Sequence, residues 1–562
     1  MQLPEPQSQT YSTLLSEIES GQVKIPQFQR DFVWDIGKSA NLLDSIIKGY
    51  PIGTFIFWRT NERLRAVRDI GKFKLPEPTL GEFINYVLDG QQRMTSLFAG
   101  LKGLQVIREN GKVDDYGEIY IDLEAKEDDQ IVIVDVSGKE EGSIIKITDL
   151  LKGGIKMLAK YDEKYLDKLD LYKNTIQSYN FSIILLKGAP IDIATEVFTR
   201  INVGGKHLSL FEIMIAKTYD AVKHFDLSEK YKELIKDLIP HNYETISDAT
   251  VLQTVSMIME KDCTRKQILK LDKQKFISEW QNAIAAIKSA VEYFKFTYGI
   301  PVSQLLPYNA MIVPFAYFFY YHKDNPTGDK KNYLEDFFWR CAISGRYTSG
   351  VEGKLAQDIK KIEQILQNKL PKYEWAIDVS PEFIKKYGWF SAGRSFIKAI
   401  LCLYAYKQPR SFNTNAIVNI SNYWLKQANS KNYHHFFPKS YLNKNLSWEN
   451  KGFYINHILN ITIVDDFLNK REIAAKAPLK YMSEFSKKNP NLEETMKTHL
   501  IYDLEGYGIW ENDYQRFFNA RANAVSEELK KRVIISDVDK AKEAVLDDSF
   551  ETVEEEEEIG VE

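Results

Sequence analysis

Cysteine is scarce in this chain. Three residues, Cys263, Cys341 and Cys402, are spread over 562 positions at separations of about 60–80. That spacing builds neither a disulfide framework nor a zinc knuckle, and a reducing cytoplasm is the expected compartment. Long apolar runs are also lacking. The best stretch, Ala310–Tyr321, contains Pro314 and falls short of the ~20 residues that cross a bilayer, so no membrane partner is expected. The opening MQLPEPQSQT lacks the charged and apolar regions of a signal peptide. No fixed-period repeat is present, which excludes solenoids and propellers. Net charge is small too, at -4, and by itself gives no reason to expect a nucleic-acid partner.

What is present alters that last reading. From Asp539 onward there are 11 acidic residues and 2 basic ones, and without them the body carries +5. Hydrophobic residues at 44% and charged residues at 27% are ordinary globular proportions. At roughly 100–200 residues per domain the length suggests about three or four domains. Residues 1–225 read as one α+β domain. Its β-rich runs are Thr54–Trp58, Phe83–Leu88, Glu118–Leu123, Ile131–Val136 and Phe181–Leu186. Two apolar helix faces lie between them, Leu42/Leu43/Ile46/Ile47 and Met94/Leu97/Phe98/Leu101. Residues 226–410 read as a helical connector and 411–535 as a third domain. Residues 536–562, with the run Glu554–Glu558, read as an acidic disordered tail.

Of eight histidines, three (His434, His435 and His457) fall within one short span, and residues 426–480 carry nine Lys/Arg against four Asp/Glu. A basic patch beside imidazoles suits a phosphate backbone. Phosphodiester hydrolysis needs a base that is neutral near pH 7, a divalent cation with open positions, and something to orient the base. A His-His pair followed by Asn460 and, nine residues later, Asn469 can supply these. The run Ile458–Val464 would be a second strand, and Asp465–Lys470 would open a closing helix. This block, His434-His435-Phe436-Phe437-Pro438 with Asn460, Asn469 and Lys476-x-Pro478-x-x-Tyr481, resembles an HNH nuclease domain of the ββα-metal type. The resemblance implies His435 as general base and His434 with Asn469 as ligands of Mg²⁺ or a similar ion. It implies Asn460 as the residue orienting the loop or the base. His434 stands where an acidic residue is commoner; it is softer and shifts preference toward Mn²⁺ or Ni²⁺. His457 is a DNA contact or a loop cap.

Near the N-terminus three segments each place Arg beside an amide: Ile25-Pro26-Gln27-Phe28-Gln29-Arg30, Leu88-Asp89-Gly90-Gln91-Gln92-Arg93, and Phe198-Thr199-Arg200-Ile201-Asn202-Val203-Gly204-Gly205. In the second, a strand ends at Asp89-Gly90 and a helix begins near Gln91. Such a junction offers backbone N–H groups and a positive dipole end to an anion, and Arg93 adds bidentate phosphate geometry. A structural alternative is that Asp89 caps the helix and the arginines form ion pairs. In this order the three segments resemble the N-terminal domain of the GmrSD-type restriction family, with a ParB/sulfiredoxin-like core; Ser344-Gly345-Arg346-Tyr347 is similar to a weaker family feature. The resemblance implies an α+β multidomain chain: a ParB/sulfiredoxin-like domain, a helical middle and a C-terminal ββα-metal HNH domain. Its implied activity is that of a nucleotide-regulated, metal-dependent DNA endonuclease or nickase of bacterial antiphage defence, type IV restriction-like. DNA, modified phage DNA in particular, and a nucleotide triphosphate (GTP or ATP) are the implied partners, and a homo-oligomer is compatible. Asp89, Gly90, Gln91, Gln92 and Arg93, with Arg30, Arg200 and Asn202, would bind and hydrolyse the nucleotide. The rival readings are a non-catalytic DNA-binding or regulatory sensor, and a nuclease whose activity resides in the ParB-like domain.

Overall fold

The computed structural model describes the chain apart from residues 1–3, 27–31, 62, 65–66, 69, 71–74, 80, 108–112, 127, 202–208, 221, 423–432, 465–472, 474, 545 and 547–562. Arg30, Asn202, Gly204-Gly205, Asn469, the expected closing helix at Asp465–Lys470 and the Glu554–Glu558 run therefore lie outside the described residues. The chain divides into two compact units, residues 1–227 and 228–562, both mixing helix and strand.

The first unit is built on a six-stranded sheet. Its strands are β1 (Glu5–Thr10), β2 (Val23–Pro26), β3 (Phe55–Thr60), β4 (Val67–Arg68) and β5 (Ile84–Asp89). Short strands follow at β6 (Gln105–Ile107), β7 (Val113–Asp115), β8 (Tyr120–Asp122), β9 (Val132–Ile133) and β10 (Ile144–Lys146), and the last is β11 (Asn180–Lys187). The order across the large sheet is β1-β11-β3-β5-β2-β4. β11 runs parallel to β3, β2 parallel to β5, and the other pairs are antiparallel. Each of the five expected β-rich runs contains a strand, with Glu118–Leu123 and Ile131–Val136 shortened to Tyr120–Asp122 and Val132–Ile133.

Helices α1 (Tyr11–Glu19), α2 (Ile36–Ile47) and α3 (Gln91–Lys102) pack beside this sheet. α2 starts at Asp35, whose carboxylate accepts from Lys38 N at 2.7 Å, an ordinary N-cap. Both apolar faces read from the sequence are buried, Leu43 at 0% and Met94 at 0% exposure. The β5–α3 junction turns through Gly90 at φ 91°. A Cβ there would lie 2.4 Å from Phe55 Cδ1, so both conformation and space require glycine.

In the second unit the helices Asp248–Glu260, Lys273–Phe296, Ile312–Tyr321, Gly328–Ile343 and Val351–Leu366 pack around an aromatic core. Phe294 and Phe315 ring centroids lie 4.6 Å apart, and Tyr298 and Phe338 4.7 Å. The same unit then carries a two-stranded hairpin, β12 (Tyr433–His435) and β13 (Ile461–Ile463). Helices Pro478–Lys488 and Tyr514–Lys530 follow. Helix Ser395–Tyr406 links the two regions, with the Tyr404 hydroxyl donating to Ile458 O at 3.1 Å. The boundary expected near 411 falls inside this unit.

The acidic C-terminal segment begins as ordered structure. A short helix, Asp537–Ala541, is tied down by Arg340. Both terminal nitrogens of that guanidinium donate to Asp539, at 2.9 and 2.6 Å, and Nη2 also donates to Ile534 O at 2.5 Å. Arg340 is fully buried and pairs again with Asp336 at 3.1 Å. The sequence placed Asp539 in a solvated tail; instead it is the second carboxylate, after Asp336, on a buried guanidinium whose donors all need partners there.

Among the described residues no helix is long and apolar enough to cross a membrane. The three cysteines are free and buried.

Candidate active site

The His-Asn block forms on the β12–β13 hairpin. His434 stands opposite Thr462 and His435 opposite Ile461. Successive side chains on a strand face opposite ways, so the two imidazoles enter different surroundings. His434 is 2% exposed, with the rings of Phe412 and Tyr481 edge-on at centroid distances of 6.3 Å each. His435 is half-buried, and its Nε2 lies 3.0 Å from Asn456 Oδ1. The His435 pKa is lowered to about 4, by burial first and by Lys439 second, with the bond to Asn456 opposing both. The ring is therefore neutral at pH 7.

Asn460 is fully buried and spends its whole carboxamide on backbone. Its Oδ1 accepts from Phe437 N at 2.8 Å, and its Nδ2 donates to Phe437 O at 3.0 Å and Ile455 O at 3.1 Å. Its own carbonyl accepts from Phe436 N at 2.8 Å. Of the two roles open to Asn460, the geometry is that of the loop. The turn after His435 is thereby fastened on both sides, because the Tyr481 hydroxyl donates to Phe436 O at 2.6 Å. The rest of the Lys-x-Pro-x-x-Tyr motif supports that helix: Pro478 opens it and Lys476 pairs with Glu484 at 2.5 Å.

His457 is fully buried and caps the turn Ile458–Asn460. Its Nδ1 accepts from Leu459 N at 3.1 Å, so Nε2 carries the proton toward Lys385 O at 3.2 Å. It is a loop cap, the second of the roles named for it. Two residues of this region carried no sequence signal that was read. Asn456 could have been noticed as an amide four positions before Asn460. Arg521 sits in an amphipathic helix with nothing to mark it. It is fully buried over the rings of Tyr404 (4.8 Å) and Phe517 (5.9 Å), and its Nη1 donates to Leu459 O at 3.1 Å.

The described residues hold no group of three or more His, Cys, Asp or Glu side chains placed to bind a metal ion. His434 supplies one imidazole nitrogen, and Asn469, the other named ligand, lies outside the described residues. If both served, one nitrogen and one carboxamide oxygen would leave open positions for phosphate and water, as a catalytic ion requires.

In the first unit the Asp-Gly-Gln-Gln-Arg motif joins β5 to α3, as the sequence indicates, but its side chains are turned inward. Arg93 donates from Nη1 to Ile52 O at 2.7 Å, and from Nη2 to Thr54 O at 3.0 Å and Asp89 Oδ2 at 3.1 Å. Its guanidinium carbon also lies 5.2 Å from the centre of the Phe55 ring. Gln92 Oε1 accepts from Val33 N at 2.9 Å and Trp34 N at 3.3 Å, and its Nε2 donates to Gln91 Oε1 at 2.9 Å. Asp89 is not the helix cap: Gly90 holds that position, and no side chain caps the start of α3. Arg200 is exposed and pairs one turn back with Glu196 at 2.6 Å. Arg346 of the Ser-Gly-Arg-Tyr segment pairs with buried Asp358 at 3.0 Å and stacks on Trp375.

Two comparisons bear on these sites. A protein of Methanocaldococcus jannaschii, described as Uncharacterized protein MJ0686, is 26% identical over 573 aligned positions, covering 92% of this chain and 94% of its own. The similarity thus runs through both units. Residues 11–219 match the family model described as GmrSD restriction endonuclease, N-terminal domain, which supports the GmrSD restriction family as the affiliation of the first unit.

Proposed function

We propose that the chain is a metal-dependent DNA endonuclease or nickase of restriction and defence, cutting with the second unit under nucleotide control by the first. The observation that carries this reading is the hairpin: it holds a neutral, oriented imidazole (His435) on a turn locked by Asn460, with His434 preceding it on the same strand and facing the other way. The match of residues 11–219 to a restriction-endonuclease domain supports DNA as the substrate. In this reading His435 takes the proton from the attacking water. His434 and Asn469 would hold Mg²⁺ or Mn²⁺, which when bound supplies charge stabilisation at the phosphate. Lys439 and the surrounding basic residues position the backbone without reading sequence. Modified phage DNA as the target and GTP or ATP as the regulator are part of the proposal. Because Arg93, Gln91 and Gln92 are bonded inward, nucleotide contact at the motif would fall to the backbone at the start of α3.

The test is a matrix of supercoiled plasmid and of modified and unmodified phage DNA, with Mg²⁺ or Mn²⁺, with and without each nucleotide. Nicking that needs metal and disappears in His435→Ala is the expected result. Plasmid left closed under every condition would favour a DNA-binding sensor. Unchanged nicking in His435→Ala would move the chemistry to the first unit.

A further inference from the structure

We infer that Asn456 is a positioning residue for His435, holding its imidazole with the proton on Nε2 so that Nδ1 presents the free lone pair. The orientation of the Asn456 amide is set independently of the histidine. Its Nδ2 donates to Phe390 O at 3.1 Å, which leaves Oδ1 facing His435 Nε2 at 3.0 Å. An amide oxygen only accepts, so the ring nitrogen facing it must be the N–H. Phe390 N in turn donates to Asn456 O at 2.9 Å, clamping the asparagine by both backbone and side chain.

The clamp is extended by its neighbours. Ile458 N donates to Gly388 O at 2.8 Å, and His457 reaches Lys385 O. The stretch 385–390, at the end of a helix in the connector region, therefore braces the residue that orients the proposed base. A Cβ on Gly388 would lie 2.2 Å from His457 Cε1, a measure of how closely the brace fits. The two asparagines divide the work: Asn460 fixes the turn after His435, and Asn456 fixes the ring.

This inference rests on the nuclease reading, and its test separates the two. The full-length protein is labelled with ¹⁵N-histidine, and the His435 ring signals are assigned by their loss in His435→Gln. The wild type should show the Nε2–H tautomer. Asn456→Ala should show a mixture or the opposite tautomer. Asn456→Asp, which keeps an acceptor toward Nε2 although it gives up the donor to Phe390 O, should still favour the Nε2–H tautomer. In plasmid nicking, Asn456→Ala should lower kcat by about 10–100-fold, the usual effect of removing an orienting partner. KM for DNA should be unchanged, and Asn456→Asp should be faster than Asn456→Ala. A wild-type Nδ1–H tautomer, or a tautomer unmoved in Asn456→Ala, overturns the inference whatever the activity. Wild-type nicking by His435→Ala overturns the nuclease reading and leaves the tautomer result standing on its own.

Discussion

Replacing Asn460 by alanine should cost the second unit more than any other change at the site. The side chain is fully buried and its three hydrogen bonds all go to main chain, at Phe437 N, Phe437 O and Ile455 O. Alanine fills none of them, and a buried group left without a partner costs about 1–3 kcal/mol. Taking the N–H near the middle of that range and each carbonyl near the bottom gives a loss of about 4 kcal/mol. At roughly 2–4 °C per kcal/mol for domains of 150–250 residues, and less for larger ones, the melting transition should fall on the order of 5–10 °C. Trp448 reports on the right region, since its ring lies 5.6 Å from that of Tyr514 and 5.0 Å from that of Tyr454. Tryptophan fluorescence against temperature, with Trp448→Phe as the reference, follows this transition. Asn460→Asp should be no better, because it keeps the acceptor for Phe437 N but sets a carboxylate against two carbonyls. A shift below about 2 °C in Asn460→Ala would refute the reasoning: the turn would then be held by Tyr481 and the strand pairing alone.

Three other outcomes follow from the structure. Arg93→Ala should destabilise the first unit by about 2–3 kcal/mol, at about 1 kcal/mol per bond lost, seen as an earlier unfolding transition; intact stability with reduced nucleotide hydrolysis would mean that the guanidinium serves the ligand and not the loop. Acid should weaken the second unit through His457 and His499, both buried and both pulled down by that burial to a pKa of about 3. Their neutral forms contribute fully above the unfolded value of ~6.5, and that stability is lost as pH falls below it, by ~1.4 kcal/mol per pH unit for each histidine until the folded value is reached. Urea midpoints measured from pH 7 to pH 4 should drop, and His499→Gln should flatten the slope; a flat wild-type profile refutes this. Truncation after Leu546 removes nine acidic residues and no basic ones while leaving the Arg340–Asp539 pair in place. It should raise nonspecific nicking at low salt, where charge pairing is least screened, and unchanged nicking would show that the segment does not shield the basic surface.

Local pattern and long-range bonding explain what could be read in advance. The faces of α2 and α3 and the Asp89-Gly90 break were legible because periodicity and glycine act within a few residues. β1, EPQSQT, was missed because nothing apolar alternates in it; it is a strand only because β11 offers its edge. Within the helical region the break between Arg265–Lys270 and Lys273–Phe296 is local too: Asp272 accepts from Lys275 N and starts the second helix. At the sites, the residue types were visible but their partners were not. Arg93 is bound to carbonyls 41 and 39 residues away, and nothing in its motif shows that its donors are taken. Asp539 looked like one more acid in an acidic tail, yet its partner lies 199 residues upstream.

That separation has a consequence for synthesis. Domains form as the chain leaves the ribosome, at about 5–20 residues per second, so about 10–40 s pass between the emergence of Arg340 and that of Asp539. During that interval the guanidinium has Asp336 but not its second carboxylate. The His pair waits as well, because Phe517, which stacks on Phe436 at 4.8 Å and 7°, emerges more than 80 residues later. A nascent chain therefore holds both imidazoles before it holds the scaffold that aims them. If the second unit cuts DNA, a chain becomes competent to do so only after Phe517 has joined the core behind the hairpin.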